Sequence, residues 1–134
     1  MRKFDWPVRI YYEDTDAGGV VFYANYLKFF ERARTEMLRT KGYQLDELHA
    51  TLGILFVVRS VQVEYLKPAR FNDLLNVSSE LSEIKKTRLI FTQVISKAEL
   101  ELCHAEICVA CIEAETMRPT AIPSTLLEQL KNEY

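Results

Sequence analysis

Three carboxylates, Glu13, Asp14 and Asp16, stand in the run Tyr12-Glu13-Asp14-Thr15-Asp16-Ala17-Gly18-Gly19-Val20-Val21-Phe22-Tyr23-Ala24-Asn25-Tyr26. A carboxylate can take a proton from water or attack a carbonyl carbon. Directly after them, apolar residues begin to recur at helical spacing. A helix start presents N–H groups with no partner inside the helix, and these can hold a developing negative charge. The two features together suggest acyl chemistry, and no other stretch of the chain points as firmly to a reaction. Two plainer readings compete. Asp14, Asp16 and Gly19 fall where a calcium loop wants positions one, three and six. However, Gly18, Phe22 and Asn25 then occupy positions five, nine and twelve, and the last of these needs a bidentate Glu. Asp14 and Asp16 could also simply cap turns, as Asp often does.

The loop has to be held by its neighbours. Val8 to Tyr12 reads as a short strand. From Asn25 to about Lys41 the pattern is helical: Tyr26, Phe30, Ala33 and Met37 recur at steps of four and three, widened by Leu27 and Phe29. Asn25 is the expected N-cap and Gly42 the expected stop. A weaker helix, Gln44 to Leu52, ends at Gly53. Ile54 to Leu66 alternates as a strand, with Val61, Val63 and Tyr65 against Ser60, Gln62 and Glu64. Pro68 and Asn72-Asp73 break it. Leu75, Val77, Ser79 and Leu81 form one face of the next strand, and Lys85-Lys86-Thr87 a turn. Leu89, Phe91 and Val94 to Ile95 continue into another strand. Cys103 to Ile112 is apolar on both faces at its end and is expected in the sheet interior. Pro119 and Pro123 precede a short helix over Thr125 to Lys131. Strands joined by short turns pair antiparallel. The fold class is therefore α+β: a five-stranded antiparallel sheet curled around one long helix. The outer face of that sheet would then need cover, most simply from a second copy.

The rest of the chain sets bounds. Its 134 residues make one domain, 1–134, with 49% hydrophobic and 27% charged residues. A net charge of -2 gives no reason to expect nucleic acid as a partner. No apolar run approaches the roughly 20 residues that cross a bilayer. The start, Met1 to Pro7, lacks the apolar core of a signal peptide. The expectation is a cytoplasmic protein. Cys108 and Cys111 have C-x-x-C spacing but no second pair, and strand residues three apart face opposite ways. The three cysteines therefore read as buried small residues, and Cys103 next to His104 is no catalytic pair. His49 and His104 read as structural or surface residues. No metal set and no redox cofactor are expected.

The run Tyr12 to Val21, followed by Tyr23-Ala24-Asn25-Tyr26-Leu27 and Glu31-Arg32-Ala33-Arg34, closely resembles the hotdog-fold acyl-CoA thioesterases of the 4-hydroxybenzoyl-CoA thioesterase family. The nearest branch is the Tol–Pal-associated, YbgC-like one. The likeness extends through Val63-Glu64-Tyr65, Pro68-Ala69-Arg70, Phe91-Thr92-Gln93, Arg118-Pro119 and Ile122-Pro123. It implies a hotdog fold, sheets joined side by side in a homodimer and often dimers paired into a homotetramer, and Asp16 as the catalytic carboxylate. Many YbgC-like members carry His where this chain has Tyr23, whereas the 4-hydroxybenzoyl type has Tyr.

On that basis the backbone N–H of Tyr23 is the candidate donor to the thioester oxygen, and Asp16 is either general base or nucleophile. Gly18 and Gly19 let the chain turn tightly and admit the ligand. Asp14 orients the loop, Glu13 faces solvent, and Glu31 pairs locally. Lys85, Lys86 and Arg88 form the best cation cluster for the coenzyme end, with Arg70 and Arg118 as second choices. Phe22, Tyr26, Phe29, Phe56 and Tyr65 are candidate walls of an acyl pocket between helix and sheet at a subunit boundary. The expected activity is hydrolysis of short- or medium-chain acyl-CoA, with acyl carrier protein as another possible carrier. The alternative is a hotdog protein that binds acyl-CoA or acyl carrier protein without catalysis.

Overall fold

The computed structural model describes the backbone of residues 3–133 and the side chains of residues 3–132. Met1 and Arg2, part of the opening segment read above, lie outside the described residues, as does Tyr134. The elements in chain order are β1 (Phe4–Arg9), a single 3-10 turn (Tyr12–Asp14), α1 (Asn25–Arg39), α2 (Leu45–Leu52), β2 (Ile54–Tyr65), β3 (Leu74–Ile84), β4 (Arg88–Lys97), β5 (Leu100–Glu113) and α3 (Ser124–Glu133). All strand pairs are antiparallel, in the order β1-β3-β4-β5-β2. Phe29, Phe30, Ala33 and Met37 of α1 are fully buried against the sheet. Each large side chain taken from water contributes roughly 1.5–3 kcal/mol. This is the hotdog arrangement. Among the described residues, no helix is long and apolar enough to cross a membrane.

The structure adjusts four local expectations. β1 lies earlier than Val8 to Tyr12, because the Asp14 carboxylate accepts the Tyr11 N–H at 2.8 Å and bends the chain into the 3-10 turn. Asn25 is not the cap of α1; Ala24 holds that position, and the Asn25 amide instead donates to the Asp14 carbonyl at 2.8 Å. α1 ends at Arg39, short of Lys41. There Gly42, with φ +84, donates to the Arg39 carbonyl while Tyr43 donates to that of Leu38. That is a Schellman stop. The alternation in β2 exists, but Val61 and Tyr65 are 37% and 42% exposed, since β2 is an edge strand with β5 on one side only.

The sheet's two faces differ. Val77, Leu81, Leu89, Phe91 and Ile95 point toward α1 and are buried. By the strand alternation the other face carries Ser78, Glu80, Thr92, Glu106 and Gln62 together with apolar Ile90, Val94, Cys108 and Ala110. The β2 edge leaves Val58, Val61 and Tyr65 exposed.

The acidic loop and the basic turn lie at opposite ends. Arg9 pairs with Leu74 and Ile10 donates to the Asp73 carbonyl, which holds the loop at the start of β3. Ile84 pairs with Leu89 at the other end, where Lys85 donates its N–H to Arg88 to close the turn. The 11 residues of β3 make that separation roughly 33 Å at about 3.3 Å per residue.

Candidate active site

The loop is a small hairpin built on Asp16. Asp16 donates its N–H to Val20 at 2.9 Å and accepts the Gly19 N–H at 3.0 Å, with Thr15 and Val21 bridged outside them. Gly19 takes φ +78, the left-handed residue that completes this three-residue turn. A side chain there would meet no atom within 4 Å, so backbone conformation, not space, calls for glycine. At Gly18 the reason is different: a Cβ would sit 3.2 Å from Asp16 Oδ1. The Gly18 N–H donates to that same Oδ1 at 2.8 Å. The turn-capping reading of Asp16 is therefore realised, but by one oxygen. Oδ2 accepts no hydrogen bond among the described residues.

Asp14 acts as structural glue. Its carboxylate takes the Tyr11 N–H, and its carbonyl takes the Phe22 N–H at 3.0 Å and the Asn25 amide. Val21 donates to Ala69 at 2.9 Å, and Val20 bridges Arg70. Asp73 fastens the same corner by accepting the Arg70 N–H and pairing with Lys97 at 2.9 Å. Desolvation pushes the Asp73 carboxyl up, but Lys97 and Arg70 outweigh it and hold it below the usual carboxylate range.

The hairpin leads directly into the turn Phe22-Tyr23-Ala24 before α1. The Phe22 and Asn25 N–H groups are used, by Asp14 and Phe22 respectively. The Tyr23 and Ala24 N–H groups make no hydrogen bond among the described residues, as expected at a helix start. Beside them lies an open cleft of about 250 Å³ walled by Val21, Tyr23, Tyr26, Tyr65, Leu66, Lys67 and Pro68. The Tyr65 hydroxyl donates to the Tyr23 carbonyl at 3.0 Å, and Tyr26 accepts the Ala69 N–H at 3.0 Å. Burial raises the pKa of both phenols, so both stay protonated at neutral pH. Asp16 is exposed and is not part of this cleft's wall.

A second cavity, about 110 Å³, opens between α1 and the sheet; Phe56, Val58, Leu89 and Phe91 line its apolar side and Glu31 and Arg34 its polar side. Desolvation lowers the Arg34 pKa, offset by Glu31. Arg34 Nη1 donates to Gln93 Oε1 at 3.0 Å, and the buried Gln93 amide donates to the Phe30 carbonyl at 3.0 Å and to Ser79 at 2.7 Å. Glu31 does not pair with Arg34; its carboxylate accepts the Thr35 hydroxyl at 3.2 Å.

The structure thus brings Asp16, Gly19 and Tyr23 onto one hairpin and turn, and it sets Lys85, Lys86 and Arg88 far from them. Lys85 pairs with Glu83 at 3.5 Å, and the Lys86 carbonyl receives the Ile122 N–H. Of the expected walls, Tyr26 and Tyr65 line the cleft and Phe56 the second cavity. Phe29 is core, and Phe22 is 44% exposed beside the Tyr23 ring. Sequence reading missed Lys67, whose only signal was a cation next to Pro68, and the Tyr65 hydroxyl, which had none. His104 lies on the outer sheet face, 3.0 Å from Glu101, and His49 is exposed on α2. Cys103, Cys108 and Cys111 are free and buried, and desolvation, aided by Glu101, pushes the Cys103 thiol up to about 12. Cys103 is thus a poor nucleophile.

Comparison with known proteins decides the family. Residues 11–130 match the model of the thioesterase-like superfamily. The chain belongs to that superfamily. Relatives across nearly its whole length are named acyl-CoA thioester hydrolases, which makes it a thioesterase. It is 47% identical over 129 residues to the acyl-CoA thioester hydrolase YbgC of Escherichia coli O157:H7, covering 96% of each chain. It is 46% identical over 120 residues to the acyl-CoA thioesterase YbgC of Haemophilus influenzae, covering 90% of this chain and 88% of that one. A crystal structure of a probable thioesterase from Bartonella henselae superposes with a TM-score of 0.87 at 34% identity, covering 91% of this chain and all of the other. The YbgC-like branch read from the motif is thus the right one.

Proposed function

We propose that this thioesterase hydrolyses short- or medium-chain acyl-CoA to the free acid and CoA, with Asp16 as base or nucleophile and the Tyr23 N–H as oxyanion donor. The observation that carries the reading is the Tyr23 amide at the lip of a cleft, unpartnered among the described residues, on the same loop as an Asp16 oxygen that accepts no hydrogen bond among them. As base, Asp16 takes a proton from water, hydroxide adds to the carbonyl carbon, and the thiolate leaves with that proton returned. As nucleophile, Asp16 forms a mixed anhydride as the thiolate leaves, and water opens it. Both routes put negative charge on the same carbonyl oxygen, where a preorganised amide is worth most. Gly19 keeps the hairpin tight beside the substrate.

The open β2 edge supports a homo-oligomer whose unit is a pair joined along β2, an exposed apolar edge being a ready template for strand pairing. Antiparallel pairing reverses the partner strand. One copy's Tyr65 end then meets the other's Ile54 end, next to its Lys85–Arg88 turn. In this arrangement the coenzyme phosphates of one site are held by the second copy's Lys85, Lys86 and Arg88, with Lys67 nearer the cleft. Replacing Lys85 and Lys86 together by Ala is expected to raise KM for free-CoA substrates about tenfold, ~1.4 kcal/mol in all, with kcat kept. Steady-state kinetics on acyl-CoA beside acyl carrier protein substrates checks it: an equal change for both carriers removes the phosphate role. Three free cysteines fit a reducing compartment, hence the cytoplasm.

The exposed position of Asp16, outside the cleft wall, favours one alternative: a hotdog protein that binds acyl-CoA or acyl carrier protein without hydrolysis. A thiol-release assay across an acyl-CoA panel decides between them. Turnover supports the hydrolase, and saturable binding without thiol release supports the binder.

A further inference from the structure

We propose that the Tyr65 hydroxyl is a positioning group for the reaction, acting through the Tyr23–Ala24 peptide. The inference rests on the reading of the Tyr23 turn as the place where the thioester oxygen gathers charge. Tyr65 is the last residue of the edge strand β2, 42 positions along the chain from Tyr23, yet its hydroxyl donates to the Tyr23 carbonyl at 3.0 Å. Its ring meets those of Tyr23 and Tyr26 edge-on, at 6.2 and 5.5 Å between centroids.

The turn has three peptide groups to control. The Val21–Phe22 group is fixed by the Phe22 N–H to the Asp14 carbonyl, and the Phe22–Tyr23 group by the Asn25 N–H to the Phe22 carbonyl at 2.8 Å. Neither bond touches the peptide that links Tyr23 to Ala24. Only the Tyr65 hydroxyl reaches it, and it does so at the carbonyl, leaving the N–H end of the same unit, that of Ala24, without an acceptor among the described residues. A hydrogen bond to a peptide carbonyl polarises its N–H as well as fixing its plane. The phenol thus fixes the peptide that carries the Ala24 N–H, beside the cleft and next to the Tyr23 N–H whose own peptide is set by Asn25, and strengthens Ala24 as a donor. Successive N–H groups aimed at one point make an anion-holding concavity. Tyr65 itself lines that cleft, so the group that sets the donors is also part of the wall.

A purely structural Tyr65 would serve through its ring, which Phe retains. Tyr65→Phe therefore removes the hydroxyl alone. Loss of a direct oxyanion donor costs about 10²–10³ in kcat, and loss of its support is expected to cost less, about tenfold, with KM within about twofold of wild type. In the ¹⁵N–¹H spectrum the Ala24 amide proton is expected to move upfield and to exchange faster, with other core amides unchanged. Unaltered kcat, a rise in KM that accounts for the whole loss, or an unmoved Ala24 amide overturns the proposal. Asp16→Asn in the same panel keeps the two ideas apart. If it matches wild type while Tyr65→Phe is slow, the Asp16 reading fails and the positioning role stands. If wild type releases no thiol from any panel member, the Ala24 amide shift alone decides: movement upholds the bond's role and no movement ends it.

Discussion

Asp16→Asn is expected to lower the rate of thiol release from acyl-CoA at least about 100-fold, the size of effect that follows loss of acid–base help. The substitution is close to isosteric. Asn can still accept the Gly18 N–H through its Oδ1, so the hairpin closed by Asp16 and Val20 should persist. What disappears is the second carboxylate oxygen, Oδ2, which accepts no hydrogen bond among the described residues. Folding and binding should therefore survive while turnover does not, and kcat should fall with KM little changed. Equal hydrolysis by both proteins would remove Asp16 from the reaction altogether. A fall in kcat accompanied by a lowered melting temperature would assign the residue to the turn.

The largest effect on stability is expected from Gln93→Leu. Gln93 is fully buried in β4, and its side chain satisfies three groups at once: Arg34 Nη1, the Phe30 carbonyl and the Ser79 hydroxyl. Leu nearly matches the volume but offers none of these contacts. Each buried polar group left without a partner costs about 1–3 kcal/mol, and a guanidinium more. The sum is expected to be about 3–5 kcal/mol, a fall of roughly 10–20 °C in Tm at this chain length. Urea and thermal unfolding measure it directly. A loss under about 1 kcal/mol would mean that water replaces the Gln93 amide, and that α1 is held to the sheet by its apolar face alone.

The sequence was informative where the signal is local. The steps of four and three from Tyr26 to Met37 describe the buried stripe of α1, because that stripe faces one sheet. Gly42 and Gly53 mark real stops, each at positive φ. Glu13 is exposed and Asp14 orients the loop, as expected. What stayed hidden depends on pairing across the chain. No pattern around Lys85 says that its turn closes the far end of β3, since that follows from the register of β1 on β3 and β3 on β4. Tyr65 reads as one more apolar residue of an alternating strand; its hydroxyl matters only because β2 ends beside the Tyr23 turn. Gln93 shares the alternating face of Leu89, Phe91 and Ile95, but nothing local shows what satisfies it there, since the three groups that do so come from α1 and β3.

The distance along β3 between the Asp16 hairpin and the Lys85–Arg88 turn has a genetic consequence. If each pocket draws its carboxylate from one copy and its cations from the other, two kinds of defective chain can rescue each other. A mixed pair of an Asp16→Asn chain with a chain lacking Lys85 and Lys86 concentrates both defects in one pocket and leaves the second intact, so at substrate well below KM half of the wild-type turnover returns from two poor parents.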